Sequence, residues 1–312
     1  MDWQEQLKII QRGAEEVLPE EELIEKLKKK RPLRVKLGID ASGPDIHLGF
    51  AVVLWKLREF QDLGHTAILI VGDFTAKIGD PTGRSKTRPQ LTDEDVKQNM
   101  ANYKRQVFKI LREDRTEFRY NSEWLSRLTA EDIVKLASRT TVARMLERDD
   151  FSKRYSNNIP ISLHEFLYPI FQAYDSVVVK SDIELGGTDQ KFNFLLARDY
   201  QEAEGIEPQV LVMMPLLEGL DGKLKMSKSY GNYIGIEDPP EEMYGKTMSI
   251  PDSLIIRYFK LCLRYTDDKL ATLQRDLNAG INPMELKKKL ARELVALYYS
   301  EEDARRAEEH FV

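Results

Sequence analysis

Two lysines three residues apart, Lys225 and Lys228, lie in the run Leu224-Lys225-Met226-Ser227-Lys228-Ser229, with small hydroxyl residues beside them. Gly219, Gly222 and the pair Gly231-Asn232 flank the run, so it reads as a loop able to flex and close. Ammonium groups on flexible stems suit a multiply charged anion held transiently, such as a triphosphate becoming pyrophosphate. A solvated surface loop is the plainer reading of such a run. A second signature far upstream, with matching chemistry, tips the balance.

That signature runs from Gly38 to Phe50 and includes Asp40, Ser42, His47, Leu48 and Gly49. Arg34–Ile39, which runs into its start, reads as a strand, and Val53, Leu54, Leu57 and Phe60 recur after it at helical spacing. His47-Leu48-Gly49 therefore opens a helix. Unpaired N–H groups and partial positive charge at a helix start favour phosphate, and a glycine there lets a nucleotide come close to the backbone. A histidine can donate to a phosphoryl oxygen as charge builds in the transition state.

The elements that must hold these groups follow from pattern. Residues 1–33 read as an N-terminal helical hairpin. Residues 34–220 alternate strands (34–39, 67–72, 117–120, 177–179 and 210–213) with helices. Such alternation predicts an α/β fold with a parallel sheet, helices on both faces and ligands at the carboxyl ends of the strands. A mostly helical insertion occupies about 92–160, the lysine loop 221–236, and a helical domain 237–312 whose Leu286, Leu290, Leu294 and Leu297 mark one apolar face.

Composition sets outer bounds. The chain has 312 residues, 42% of them hydrophobic, enough for a large core and one or two domains. A net charge of -5 argues against a generally basic nucleic-acid binder, while leaving room for a local patch that holds RNA. The single cysteine, Cys262, excludes an intramolecular disulfide, suggests a reducing compartment and sits in an apolar run suited to an inert core thiol. With no signal peptide and no long apolar span, a cytoplasmic, soluble protein without membrane partners is expected.

Together the two signatures resemble the "HIGH" and "KMSKS" motifs of class I aminoacyl-tRNA synthetases. Three further segments resemble the tyrosyl members of that family. Gly79-Asp80-Pro81-Thr82-Gly83 is similar to their loop after the second strand, the stretch from Tyr168 to Asp175 to their substrate helix, and Gly186-Gly187-Thr188-Asp189-Gln190 to their ribose-binding turn. The five segments keep their order from about Arg34 to about Tyr258. The resemblance implies a Rossmann-like doubly wound sheet with a helical connective insertion and a C-terminal helical domain.

It also implies a reaction. An amino-acid carboxylate attacks the α-phosphate of ATP and expels pyrophosphate; the nucleophile is already an anion, so catalysis rests on positioning and charge stabilisation. By resemblance, His47 and Ser42 face the γ-phosphate side, Lys225, Lys228 and Ser229 form a mobile pyrophosphate clamp, and Arg84 and Arg88 put cations on the outgoing group. Gly49, Phe50 and Met226 complete the ATP side, with Gly187 and Asp189 at the ribose. Asp175 takes the phenol of L-tyrosine; Tyr168, Gln172 and Asp80 surround its ammonium, with Asp40 on that side, Gln190 near the carboxylate and Lys36 in the first strand. No ligand cluster for a resident metal is evident, so magnesium would arrive on ATP, with no tightly bound cofactor. The implied partners are L-tyrosine, ATP, tRNA(Tyr) and a second copy of the chain, paired through the insertion.

Departures from the pattern carry weight. Phe50 stands where the second histidine of "HIGH" would be and cannot donate a hydrogen bond from its ring. Lys36 stands where many relatives place a tyrosine that helps hold the phenol, which leaves the second phenol partner open. Ala41 and Ser42 replace a more usual proline and threonine, and the serine keeps the hydroxyl. Family members usually continue into an RNA-binding domain, whereas this chain ends at His310-Phe311-Val312; a catalytic fragment that makes adenylate well and charges tRNA poorly is expected. The alternatives are a tryptophanyl relative, disfavoured by Asp175 after Gln172-Ala173-Tyr174, and a non-catalytic binding or regulatory paralogue, favoured only by Phe50.

Overall fold

The computed structural model describes residues 1–39, 45–79, 92, 94 and 102–311. Among these, six strands form one sheet: β1 (Glu16–Leu18), β2 (Arg34–Ile39), β3 (Thr66–Val71), β4 (Thr116–Tyr120), β5 (Ile183–Gly187) and β6 (Val210–Met214). The order is β1-β6-β5-β2-β3-β4, all neighbours parallel except the β1–β6 pair. Strands β3 and β6 are almost wholly buried, as their unbroken apolar sequences require in a sheet covered on both faces. From β2 the chain proceeds outward through β3 to β4, then returns to build β5 and β6 on the other side. The order thus reverses between β2 and β5, the place where doubly wound sheets bind ligands.

Two expectations need correction. Residues 177–179, read as a strand, form the last turn of a helix; three consecutive valines favour strand by propensity, but burial of Val179 against Ile68, Ile70 and Phe171 decides otherwise. Residues 1–33 are not a plain helical hairpin. Between α1 (Trp3–Gln11) and α2 (Glu20–Lys28) lies β1, where Val17 pairs with Val212 on the sheet edge.

The described residues fall into two units, one from the ranges 1–44, 56–104 and 111–214, the other from 45–55, 105–110 and 215–312. The first contains the whole sheet. Short helices α4 (Ser122–Leu125), α5 (Ala130–Ala137), α6 (Val142–Met145) and α7 (Asp149–Ser156) follow β4, then the long α8 (Leu163–Val179), and α9 (Lys191–Ala203) after β5. Helix α8 begins where the Ser162 N–H donates to Glu165 Oε1 at 2.9 Å, and ends at Lys180 with φ 49°. It is buried on two sides: Phe171 packs with Trp124, Ile68 and Ile70, while Ile170 and Ala173 meet Leu136, Met145, Leu196 and Tyr200. Covered on two sides, the helix carries Asp175 and Ser176 into the protein interior with its apolar residues. Gly186 is required by α9: a Cβ there would lie 2.5 Å from Phe194 Cζ.

The second unit is helical, with α10 (Pro240–Met248), α11 (Ile255–Leu261), α12 (Asp267–Asn278), α13 (Pro283–Tyr298) and α14 (Glu301–Phe311). Leu286, Leu290 and Leu294 of α13 are buried, as their spacing predicts, with Leu297 partly so. Residues 48–55 of α3 (Leu48–Asp62) belong to this unit.

Candidate active site

In the first unit a carboxylate is held deep in the protein. Asp175 is 4% exposed; its Oδ1 accepts from Trp124 Nε1 at 2.8 Å and its Oδ2 from Asn121 Nδ2 at 3.3 Å. Asn121 is fixed in turn by the Phe74 N–H on its Oδ1 at 3.1 Å and by donation to Thr75 Oγ1, also at 3.1 Å. Burial pushes the Asp175 carboxyl up to about 7, against the opposing pull of Lys36 and the two donors. A carboxylate has about four acceptor positions, so capacity remains for one more hydrogen donor.

On β2, Lys36 is fully buried with its ammonium shared among Glu184 Oε1 (2.8 Å), Ser176 Oγ (2.7 Å) and the Gln172 carbonyl (3.1 Å). Lys36 and Glu184 are register partners on β2 and β5, so the pair sits at the reversal of strand order. Tyr168 is buried on the same helix as Asp175, and Gln172 is half-buried between them in sequence. Asn193 of α9 donates to Gln172 Oε1 at 2.9 Å and to Gln190 Oε1 at 2.8 Å. Gly187 ends β5, and half-buried Asp189 and Gln190 lie in the 3-10 turn Thr188–Gln190 that follows.

In the second unit, His47 caps α3. Its carbonyl accepts from the Ala51 N–H at 2.9 Å and its Nδ1 from the Phe50 N–H at 3.3 Å. With Nδ1 an acceptor, the neutral ring carries its proton on Nε2. Burial, and the nearby charges of Lys228 and Lys225, lower His47 to about 4, so it is neutral at physiological pH. Lys228 is itself lowered to about 8 by burial, with Asp45 opposing. Gly49 lies where a Cβ would come within 3.2 Å of Met226 Cβ, and its N–H donates to Met226 Sδ at 3.3 Å. The lysine loop is braced by Asn232, whose Oδ1 accepts from the Ser227 N–H at 2.9 Å and whose Nδ2 donates to Asp221 Oδ2 at 2.7 Å. Lys225 and Lys228 are half-buried there and Ser229 is exposed. Asp40, Ser42, Asp80, Arg84 and Arg88 lie outside the described residues.

Residues 28–312 match the family described as class I tRNA synthetases for tryptophan and tyrosine. The chain is 58% identical over 310 residues to a tyrosine–tRNA ligase of Thermotoga maritima, covering 99% of this chain and 77% of that one. It is 57% identical to tyrosine–tRNA ligase 2 of Vibrio vulnificus over 303 residues, 97% and 77% of the two chains. The chain belongs to the tyrosine–tRNA ligases of class I. A solved tyrosyl-tRNA synthetase of Archaeoglobus fulgidus, described as complexed with L-tyrosine, superposes with a TM-score of 0.81 at 30% identity, covering 98% of this chain and all of that one.

For a class I tRNA synthetase, the structure adds four residues that sequence reasoning missed: Trp124 and Asn121 behind Asp175, and Asn193 and Arg148 behind the glutamines. Trp124, Asn121 and Arg148 come from segments far from the residues they support, so no local pattern marks them, whereas Asn193 lies three residues beyond Gln190 and is tied by fold to the more distant Gln172. Among the described residues, no cluster of three or more His, Cys, Asp or Glu is arranged to hold a metal ion. No described helix is long and apolar enough to cross a membrane. Cys262 is buried and its thiol is pushed up to about 12 by burial, as an inert core thiol should be.

Proposed function

We propose that this chain activates L-tyrosine with ATP to tyrosyl-adenylate, releases pyrophosphate and passes the tyrosyl group to tRNA(Tyr). The observation that carries this reading is Asp175: a carboxylate buried in an apolar helix face, aimed by Trp124 and Asn121, with acceptor capacity to spare. A phenol hydroxyl takes up that spare capacity, whereas phenylalanine brings no donor and buries the remaining acceptor position unfilled, at a cost of about 1–3 kcal/mol.

In the first step an oxygen of the tyrosine carboxylate forms a bond to the α-phosphorus, and the bond to the bridging oxygen breaks with its electron pair leaving on pyrophosphate. No base is needed. His47 donates from Nε2 to a phosphoryl oxygen, and Lys225 and Lys228 offset charge on the outgoing group. Ser42, Arg84 and Arg88 are proposed to add donors there, with Asp40, Asp80, Tyr168, Gln172 and Gln190 around the amino-acid backbone. Gly187 and Asp189 are proposed for the ribose. Magnesium rides on the ATP phosphates. In the second step a terminal ribose hydroxyl of the tRNA attacks the tyrosyl carbonyl, its proton passes to a phosphate oxygen of the adenylate, and the bond from the carbonyl carbon to the phosphate oxygen breaks so that AMP leaves.

A homodimer is proposed as the working assembly. Val134, Val142, Tyr155 and Leu163 are 65–84% exposed within residues 134–163, apolar surface that a second copy could cover.

The test is ATP–pyrophosphate exchange with each of the twenty amino acids in turn. Exchange dependent on tyrosine supports the reading. Exchange with tryptophan instead, or with no amino acid at all, overturns it.

A further inference from the structure

A buried arginine reaches the amino-acid side of the first unit through a single asparagine. Arg148, at the start of α7, donates from Nε to Asp150 Oδ1 at 2.8 Å and from Nη1 to Asn193 Oδ1 at 3.1 Å. Asn193 Nδ2 passes its two hydrogens to Gln172 Oε1 at 2.9 Å and Gln190 Oε1 at 2.8 Å. Arg148 and Asn193 are 4% and 1% exposed, so their mutual hydrogen bond is shut off from bulk water.

Elementary chemistry makes the chain directional. A guanidinium has donors only, so the Asn193 atom facing it must be oxygen. The NH₂ group then points at the glutamines, and each glutamine must answer with its carbonyl. Gln172 Nε2 makes no hydrogen bond among the described residues and is left for a ligand. If the arginine's donor were lost, Asn193 could turn over, and both glutamines with it. A substrate group would then meet a donor in place of an acceptor, or the reverse.

We propose that Arg148, acting through Asn193, is a positioning residue that sets which end of the Gln172 and Gln190 amides faces the bound amino acid. It touches no substrate. The proposal deepens the tyrosine reading above and rests on it. It also gives the helical segment around α7 a task in substrate recognition.

The experiment is tyrosine-dependent exchange by the full chain, with KM measured separately for tyrosine and ATP and with thermal unfolding followed in parallel. N193D keeps the contact with Arg148 but shows carboxylate oxygen to both glutamines, forcing them to turn. It should raise the tyrosine KM roughly tenfold or more, leave the ATP KM within about twofold, and melt close to the unaltered protein. R148M should do the same to the tyrosine KM, and R148K, which keeps a donor, should recover most of the loss. Should R148M fail to fold, N193D decides alone. A tyrosine KM within about twofold of the unaltered value in N193D, or an equal rise in both KM values, overturns the positioning role. If the unaltered chain shows no tyrosine-dependent exchange, the tyrosine reading itself falls and this proposal with it.

Discussion

Lys36 Nζ lies 2.8 Å from Glu184 Oε1, each side chain 1% exposed, on the two strands between which the sheet changes direction. Separating such a pair by removing one partner strands a charge in a medium that solvates it poorly. K36M should therefore lose about 3–5 kcal/mol of stability in urea unfolding at pH 7. K36M/E184Q, with no buried charge left, should recover more than half of it. Equal losses in the two variants would show that the charge pairing is not what matters there.

Asp175 makes stability depend on pH. Its carboxyl is raised from 3.8 in the unfolded chain to about 7 in the fold, so the fold binds the proton more tightly. The stability this contributes is full below about 4 and is lost as pH rises through about 7, with a ceiling on the order of 4 kcal/mol. D175N should lack that loss and so gain on the parent between pH 5 and pH 8 in chemical denaturation. Over the same window the tyrosine KM of the parent should fall as pH rises, because the ionised carboxylate is the stronger acceptor for a phenol.

The His47 ring has one nitrogen committed to the Phe50 N–H, which leaves Nε2 for phosphate. Glutamine can place an amide N–H near that position, while asparagine places one near Nδ1. H47N should lose on the order of 100-fold in single-turnover adenylate formation, and H47Q distinctly less. The opposite ranking would mean the other ring nitrogen faces ATP.

Lys228, lowered to about 8, sheds its proton within the working range of a neutral-pH enzyme. The exchange rate should decline between pH 7.5 and pH 9 as the ammonium is lost. K228R keeps its charge throughout and should flatten that decline, whatever its absolute rate. A pH profile identical in the two proteins would remove Lys228 from the rate-limiting chemistry.

Much of the chemistry was written locally. His47 and the Lys225–Ser229 run lie in short segments whose residue types suit phosphate, and Asp175 is marked by the resemblance of the Tyr168–Asp175 stretch to a family motif. What was hidden is what other segments bring. Trp124 and Asn121 reach Asp175 across 51 and 54 residues of chain, and a sequence pattern carries no such distance. The role of Lys36 was open in sequence because a lysine in a strand can point either way; its pairing with Glu184 depends on β5 arriving beside β2. The strand β1 was too short, at three residues, to show alternation. The 177–179 stretch misled because side-chain shape argued for a strand while the surrounding core demanded one more turn of helix.

The sulfur of Met226 rests on the Gly49 N–H at 3.3 Å, at the first turn of α3. A thioether is among the feeblest acceptors a protein can offer. The amide is thus only lightly engaged, like a berth kept by a light mooring line. For the phosphate binding proposed above, the consequence is that an oxygen would compete at this amide with a sulfur and not with a stronger acceptor.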